Sequence, residues 1–150
     1  MIIAGPCSVE SKEQIDAITK FLAEKGIKYL RGGAYKPRSN PDAFQGLGKE
    51  GTRFLKDAAE RYGLQTVSEV MTPEELEESY EDIDIIQIGA RNMTAFGLLK
   101  AVGQKTKEDK KAVLLKRGLS STVNELINAA KYISQYGNDN IILSLRGIRT

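Results

Sequence analysis

The stretch DIIQI, residues 84–88, is a short and mostly apolar run in which apolar and polar side chains do not alternate. A strand that is covered on only one face alternates, so this run predicts a β-strand that is covered on both faces. Strands of that kind belong to parallel sheets, in which crossover helices cover both faces. Residues 84–88 therefore predict a parallel α/β fold.

Five further short apolar runs precede and follow this one along the chain. They are IIA (2–4), IKYL (27–30), LQTV (64–67), AVLL (112–115) and NIILSL (140–145). Between the runs lie stretches with apolar residues at helical spacing, for example Ile15, Ile18 and Leu22. Six strands, each spaced for a crossover helix, predict a parallel sheet with right-handed connections.

Two closures of such a sheet are possible, an open doubly wound sheet and a barrel. No GxGxxG or GxxxxGK[ST] motif follows the first strand, which weakens the nucleotide-binding versions of the open sheet. The fold class that we expect is α/β of the (β/α)8 TIM-barrel family, with about six of the eight units present. Residues 1–150 are thus predicted to be a partial catalytic barrel, strands one to six, without a regulatory domain. The polar connector 103–112 is predicted to be a solvated turn into strand five.

Composition limits the partners and the compartment. Lys and Arg number 22 against 20 Asp and Glu, a net charge of +2, so no excess of positive charge favours nucleic acid or a membrane surface. The single Cys7 excludes an internal disulfide and is typical of the reducing cytoplasm, where we expect the protein to act. The chain has no His, which excludes a histidine base or a histidine metal ligand within it.

A cysteine or charged residues follow each predicted strand, at the carboxyl ends where α/β folds place their active sites. These residues are Cys7 after strand one, Arg31 with KPRS (36–39) after strand two, Glu69 after strand three, Arg91 after strand four, Lys116 and Arg117 after strand five, and Arg146 with Arg149 after strand six. Strands two, four, five and six are each followed by at least one Lys or Arg. The pattern predicts a site for phosphate and carboxylate groups, which Gly32-Gly33 and Gly89-Ala90 would let backbone N–H groups approach.

Simpler interpretations exist for each of these residues taken alone. A single cation after a strand is usually only solvated, and a lone Cys7 is more often a small buried apolar residue. Glu69 could pair with a neighbouring Arg. Lys116 could form a Schiff base, as in some aldolases, because nearby cations would depress its pKa.

Six motifs together resemble those of the DAHP synthases. In order, they are AGPCSVES, LRGGAYKPRS, FQGLG, IQIGARN, LLKRG and LRGIRT, and they cover essentially all 150 residues. The chain is most similar to the short bacterial type I form. That enzyme condenses phosphoenolpyruvate with erythrose 4-phosphate, the first step of the shikimate pathway to the aromatic amino acids.

The resemblance implies a role for each cation at the strand ends. Arg31, Lys36, Arg91, Lys116 and Arg146 stand where the family binds the phosphate and carboxylate of phosphoenolpyruvate. This assignment makes Lys116 a substrate ligand and removes the Schiff-base role.

Four further residues match functional positions of the family. Arg38 and Ser39 stand where the family binds the phosphate of erythrose 4-phosphate, and Cys7 matches its metal-ligating cysteine. Glu69 is expected near the reacting groups, where it would support a water or a cation, and Lys36 would bridge the two substrates and move a proton. Lys36 and Glu69 are therefore the predicted catalytic residues.

The resemblance also implies a divalent metal, such as Mn²⁺, Fe²⁺ or Zn²⁺, and a homo-oligomer. The family's other metal ligands, a His, a Glu and an Asp, come from the later part of the barrel. We therefore expect the chain to be an incomplete copy of a longer enzyme and inactive by itself. Two alternatives stay open: KDO 8-phosphate synthase, which uses arabinose 5-phosphate and against which KPRS argues, and a non-catalytic fragment that binds phosphate or phosphoenolpyruvate.

Overall fold

The computed structural model of the chain describes residues 1–148, so Arg149, predicted at the end of strand six, lies outside them. The strands are β1 (Ile3–Ala4), β2 (Tyr29–Arg31), β3 (Gln65–Glu69), β4 (Ile85–Ile88), β5 (Ala112–Lys116) and β6 (Ile141–Ser144). The helices are α1 (Lys12–Glu24), α2 (Lys49–Tyr62), α3 (Pro73–Ser79), α4 (Phe96–Lys105) and α5 (Val123–Ser134), with short 3₁₀ turns at Tyr80–Asp82 and Ala90–Asn92. All six predicted strands are present. None of the described helices has the length and apolar character that a membrane span requires.

The chain forms two compact units, the first of which comprises Met1–Glu69 and Glu77–Ile85. In this unit β1, β2 and β3 are neighbours in one parallel sheet, with Ile3 opposite Tyr29 and Leu30 opposite Thr66. Helices α1 and α2 bury their apolar faces in the first unit's core. That core consists of Val9, Ile15, Leu22, Leu30, Leu55, Ala58, Ala59 and Leu64.

The second unit comprises Val70–Leu76 and the chain from Ile86 onwards. Strands β5 and β6 pair in parallel, and the register places Lys116 opposite Ser144. Helix α5 packs closely on α4 at Gly103. A Cβ at that position would lie only 2.6 Å from the carbonyl oxygen of Ile133. The absence of a side chain at Gly103 therefore sets the spacing of the two helices.

The predicted solvated turn at 103–112 is wrong for its first residues. Gly103 lies inside α4, and Thr106 is fully buried. The amide of Asn138, also fully buried, donates to the hydroxyl of Thr106 at 2.7 Å and to the carbonyl oxygen of Lys111 at 2.8 Å. Thr106 and Asn138 can be buried here because their side chains pair with each other.

Gly5 is the position at which the end of β1 depends on glycine. Its φ is +149°, and a Cβ there would collide with the carbonyl oxygen of Arg31. We predict that Gly5→Ala lowers the free energy of unfolding by about 2–4 kcal/mol, because the collision is with backbone and the φ is strained. Urea denaturation followed by circular dichroism measures the change.

The control for this prediction is Gly97→Ala in α4, where a Cβ would meet nothing within 4 Å. Alanine favours a helix over glycine by up to ~1 kcal/mol, so this variant should be at least as stable as the original. A Gly5→Ala protein as stable as Gly97→Ala would contradict the prediction.

Candidate anion-binding site

The segment that follows β1 supplies carbonyl oxygens that hold two of the predicted cations. The guanidinium of Arg31 donates from Nη1 to the carbonyl oxygen of Pro6 at 3.1 Å. The ammonium of Lys36 donates to the carbonyl oxygen of Cys7 at 2.7 Å and lies 3.3 Å from its Sγ. The structure therefore brings together three residues that the sequence predicted for the site: Cys7, Arg31 and Lys36.

Lys36 is buried, with only 7% of its surface exposed. Both of its hydrogen bonds go to Cys7, and no ion pair with a carboxylate accompanies them in residues 1–148. An ammonium has three N–H donors, so one is left over. Because a buried ammonium that is not paired with a carboxylate is costly, this arrangement favours the binding of an anion.

The two glycines after β2 have different roles: Gly33 makes room for the contact between Lys36 and Cys7, and Gly32 pairs with the next strand. A Cβ at Gly33 would lie 2.7 Å from the carbonyl oxygen of Cys7 and 2.8 Å from Nζ of Lys36, so any side chain there would separate the pair. The N–H of Gly32 donates to the carbonyl oxygen of Val67 at 3.1 Å. The N–H of Gly32 is therefore not available to a ligand, because it serves the backbone of the next strand.

The KPRS stretch folds back towards the end of β1. Arg38 donates from Nε to the carbonyl oxygen of Phe44 at 3.2 Å and from Nη2 to the hydroxyl of Ser8 at 3.4 Å. Arg38 and Ser39 are both exposed. This loop thus presents a guanidinium and a hydroxyl to solvent, two and three residues after buried Lys36.

The thiol of Cys7 is free and exposed, and its surroundings lower its pKa. The hydrogen bond from Lys36 is the largest cause, and partial burial opposes it. The charges of Lys36 and Arg31 and a hydrogen bond with Ser8 lower the pKa further. A thiol with a lowered pKa is more often the thiolate, which is the form that ligates metals and reacts with electrophiles.

Glu69, the other predicted catalytic residue, is the last residue of β3 and is 9% exposed. It lies at the carboxyl end of its strand, as the sequence predicted. The register of β2 and β3 places Arg31 opposite Val67, two residues before Glu69.

The second unit holds its predicted cations at the ends of β4, β5 and β6. Arg91 is exposed in the 3₁₀ turn after β4, Lys116 is the half-buried last residue of β5, and Arg146 is exposed two residues after β6. The N–H of Gly118 donates to Sδ of Met93 at 3.1 Å. That bond ties the turn after β4 to the loop after β5.

Two contacts of these residues are not evident from the sequence. Ser8 was not singled out, although its hydroxyl faces Arg38 and lowers the pKa of Cys7. Arg117 was counted as a cation at a strand end, but its bond to the carbonyl oxygen of Arg146 was not predicted. Adjacency to Cys7 and to Lys116 was the only indication that the sequence offered.

The residues for a complete metal site are not assembled in residues 1–148. No cluster of three or more His, Cys, Asp or Glu side chains occurs there, and the chain has no His. Cys7 fits one position in a metal's ligand set, since its thiolate is favoured. One thiolate does not hold a hard or borderline divalent ion by itself.

We predict that Lys36→Met raises the pKa of the Cys7 thiol, because it removes the largest cause of the lowered value. The pH profile of alkylation by iodoacetamide, with a chelator present, measures that pKa. In the original protein alkylation should reach half its maximal rate at a lower pH than for an ordinary thiol, and the variant should shift this midpoint upwards. Lys49→Met, an exposed change on α2, is the control; equal midpoints in all three proteins would contradict the prediction.

The fold of the chain is also found in solved structures. A crystal structure of the Thermotoga maritima phospho-2-dehydro-3-deoxyheptonate aldolase (DAHP synthase) superimposes with a TM-score of 0.93 at 50% identity, over 100% of this chain and 43% of that one. A truncated form of the T. maritima 3-deoxy-D-arabino-heptulosonate 7-phosphate synthase gives 0.87 at 48% identity, over 100% of this chain and 52% of that one. These similarities confirm the predicted fold class, six β/α units of the TIM-barrel family.

The sequence comparisons point in the same direction. The T. maritima phospho-2-dehydro-3-deoxyheptonate aldolase is 50% identical over 99% of this chain, which spans only 43% of that relative's length. A 2-dehydro-3-deoxyphosphooctonate aldolase from Syntrophotalea carbinolica is 31% identical, over 97% of this chain and 54% of the relative. The family model described as the DAHP synthetase I family matches residues 1–150. The chain therefore belongs to the DAHP synthetase I family.

Proposed function

We propose that the protein condenses phosphoenolpyruvate with erythrose 4-phosphate to give DAHP and inorganic phosphate. The observation that carries the proposal is the buried ammonium of Lys36, which has a donor left over and no carboxylate partner in residues 1–148. Two comparisons support the substrate pair: membership of the DAHP synthetase I family, and 50% identity to a phospho-2-dehydro-3-deoxyheptonate aldolase. The octonate aldolases are more distant relatives, which favours erythrose 4-phosphate over arabinose 5-phosphate.

In the first unit, we assign Lys36 and Arg31 to phosphoenolpyruvate. Their positions on the carbonyl oxygens of Cys7 and Pro6 fix where the charges lie before any substrate arrives. Such preorganised charges stabilise an anionic ligand without the cost of rearrangement. The guanidinium of Arg31 suits a planar carboxylate or a phosphate edge, and the ammonium of Lys36 acts as a point charge.

In the second unit, we assign Arg91, Lys116 and Arg146 to the same substrate. All three follow parallel strands at their carboxyl ends. Phosphoenolpyruvate carries two anionic groups, and several cations are needed to offset their charge in a site that excludes water. Arg91 and Arg146 are exposed and so are open to a ligand from solvent.

We assign Arg38 and Ser39 to the phosphate of erythrose 4-phosphate. The guanidinium of Arg38 is anchored on its own loop by the carbonyl oxygen of Phe44 and is exposed. A guanidinium and a neighbouring hydroxyl together supply several donors for phosphate oxygens. Arg38 and Ser39 would thus hold the aldose by its phosphate group.

The reaction joins C3 of phosphoenolpyruvate to the aldehyde carbon, while a water adds at C2. The resulting intermediate loses phosphate by cleavage of its C–O bond. We assign to Lys36 the protonation of the aldehyde oxygen as the new bond forms, a role that its third N–H donor supports. We assign to Glu69, buried at the end of β3, the support of the water.

The family is metal-dependent, and a divalent ion would polarise the aldehyde carbonyl when bound. Cys7 is the residue of this chain that we assign to that ion, as one ligand. Residues 1–148 do not assemble the remainder of a ligand set.

A phosphate-release assay on the full-length protein tests the substrate pair. We expect phosphate release from phosphoenolpyruvate when erythrose 4-phosphate is added, at a kcat/KM at least about tenfold above that with arabinose 5-phosphate. A preference for arabinose 5-phosphate would contradict the proposal. Binding of phosphoenolpyruvate without turnover of either aldose phosphate would identify a binding protein instead.

The two cation assignments predict opposite effects on the two substrates. Arg38→Gln should raise the KM for erythrose 4-phosphate about 10–100-fold and leave that for phosphoenolpyruvate nearly unchanged, because a charged hydrogen bond contributes ~1.5–3 kcal/mol. Arg146→Gln should do the reverse. Steady-state kinetics with each substrate varied in turn measures both values. If both variants raise both KM values equally, the assignments are wrong.

A further inference from the structure

Arg117 is a cation of the second unit that the proposed function does not use. It directly follows β5, and its backbone N–H donates to the carbonyl oxygen of Ser144, the last residue of β6, at 2.9 Å. Its side chain reaches further, and Nη2 donates to the carbonyl oxygen of Arg146 at 2.6 Å. Arg117 thus contacts both the end of β6 and the segment that follows it.

The segment that it holds has little other support among the described residues. Residues 145–148 are all exposed, with Leu145 at 55% and Ile148 at 54%. A Cβ at Gly147 would meet nothing within 4 Å. A short exposed segment with few packed neighbours has high backbone freedom unless a specific contact restricts it. The bond from Arg117 is such a contact, and it acts on the backbone of Arg146 itself.

The guanidinium of Arg117 is partly buried. Its Nε is buried and has no hydrogen-bond partner within the part of the chain that the structure describes. Leaving a buried donor unpaired is unfavourable, and each such group in a native structure needs an explanation. The bond from Nη2 of the same planar guanidinium to the carbonyl oxygen of Arg146 supplies one.

We propose that Arg117 is the positioning residue of Arg146: it fixes the backbone of Arg146 so that the Arg146 side chain meets the anionic groups of phosphoenolpyruvate. This inference rests on the proposed function, in which Arg146 binds that substrate. Arg117 touches the carbonyl oxygen of Arg146 and acts through it.

A double-mutant cycle on phosphoenolpyruvate binding tests the proposal on the full-length protein, with affinities from isothermal titration calorimetry. Arg117→Gln should weaken binding about tenfold when Arg146 is present, because one charged hydrogen bond is lost. In the Arg146→Gln background the same change should alter the affinity less than about twofold. Arg117→Lys, which keeps the charge on a shorter side chain, should fall between the original protein and Arg117→Gln.

Two outcomes of the cycle overturn the proposal. An equal loss in both backgrounds would mean that Arg117 contacts the ligand or only supports the fold. No loss in either background would mean that the bond to Arg146 has no effect on binding. Arg53→Gln, an exposed change on α2, is the control and should bind phosphoenolpyruvate as the original protein does.

Amide hydrogen exchange separates this proposal from the proposed function, because it needs no substrate. Arg117→Gln should speed exchange at residues 145–148, and Arg53→Gln should not. Unchanged exchange in Arg117→Gln overturns the positioning role alone. If Arg146→Gln binds phosphoenolpyruvate as the original protein does, the substrate assignment of Arg146 fails, and the role of Arg117 in binding fails with it.

Discussion

The ammonium of Lys36, held on the carbonyl oxygen of Cys7, is the contact on which the first unit's site depends. The loop after β2 must pass close to the end of β1 for this bond to form. Glycine at position 33 permits that approach, since a Cβ would lie within 3 Å of both bonded atoms. Gly5 permits it from the other side, where any side chain would collide with the backbone of Arg31. Gly5 and Gly33 therefore allow the close backbone approach that the buried ammonium of Lys36 requires.

This buried charge connects the fold to its chemistry. The carbonyl dipoles of Pro6 and Cys7 orient the two cations without neutralising them, as a carboxylate would. The site therefore retains net positive charge, which suits a substrate with both phosphate and carboxylate groups. The same charge lowers the pKa of the Cys7 thiol, so one arrangement prepares both an anion site and a metal ligand.

Much of the fold could be predicted because the deciding patterns are local. The run at 84–88 identified β4 by its lack of alternation, and the cations were found because each follows a strand directly. Contacts between segments could not be predicted in this way. The bond between Arg117 and Arg146 depends on the register of β5 and β6, and the bond between Arg38 and Ser8 depends on how a loop folds back. The prediction of a solvated turn at 103–112 is wrong only for its first residues, because its polar composition does not show that Thr106 pairs with Asn138.

The affinity of the protein for phosphoenolpyruvate, compared between the original sequence and Lys36→Met, tests the central claim most directly. Methionine keeps much of the volume of the side chain and removes its charge and its donors. The account predicts that the original protein binds phosphoenolpyruvate and that the variant binds it at least about tenfold more weakly. Equal affinities, with Lys49→Met as the control for loss of an exposed charge, would show that the buried ammonium does not hold the substrate.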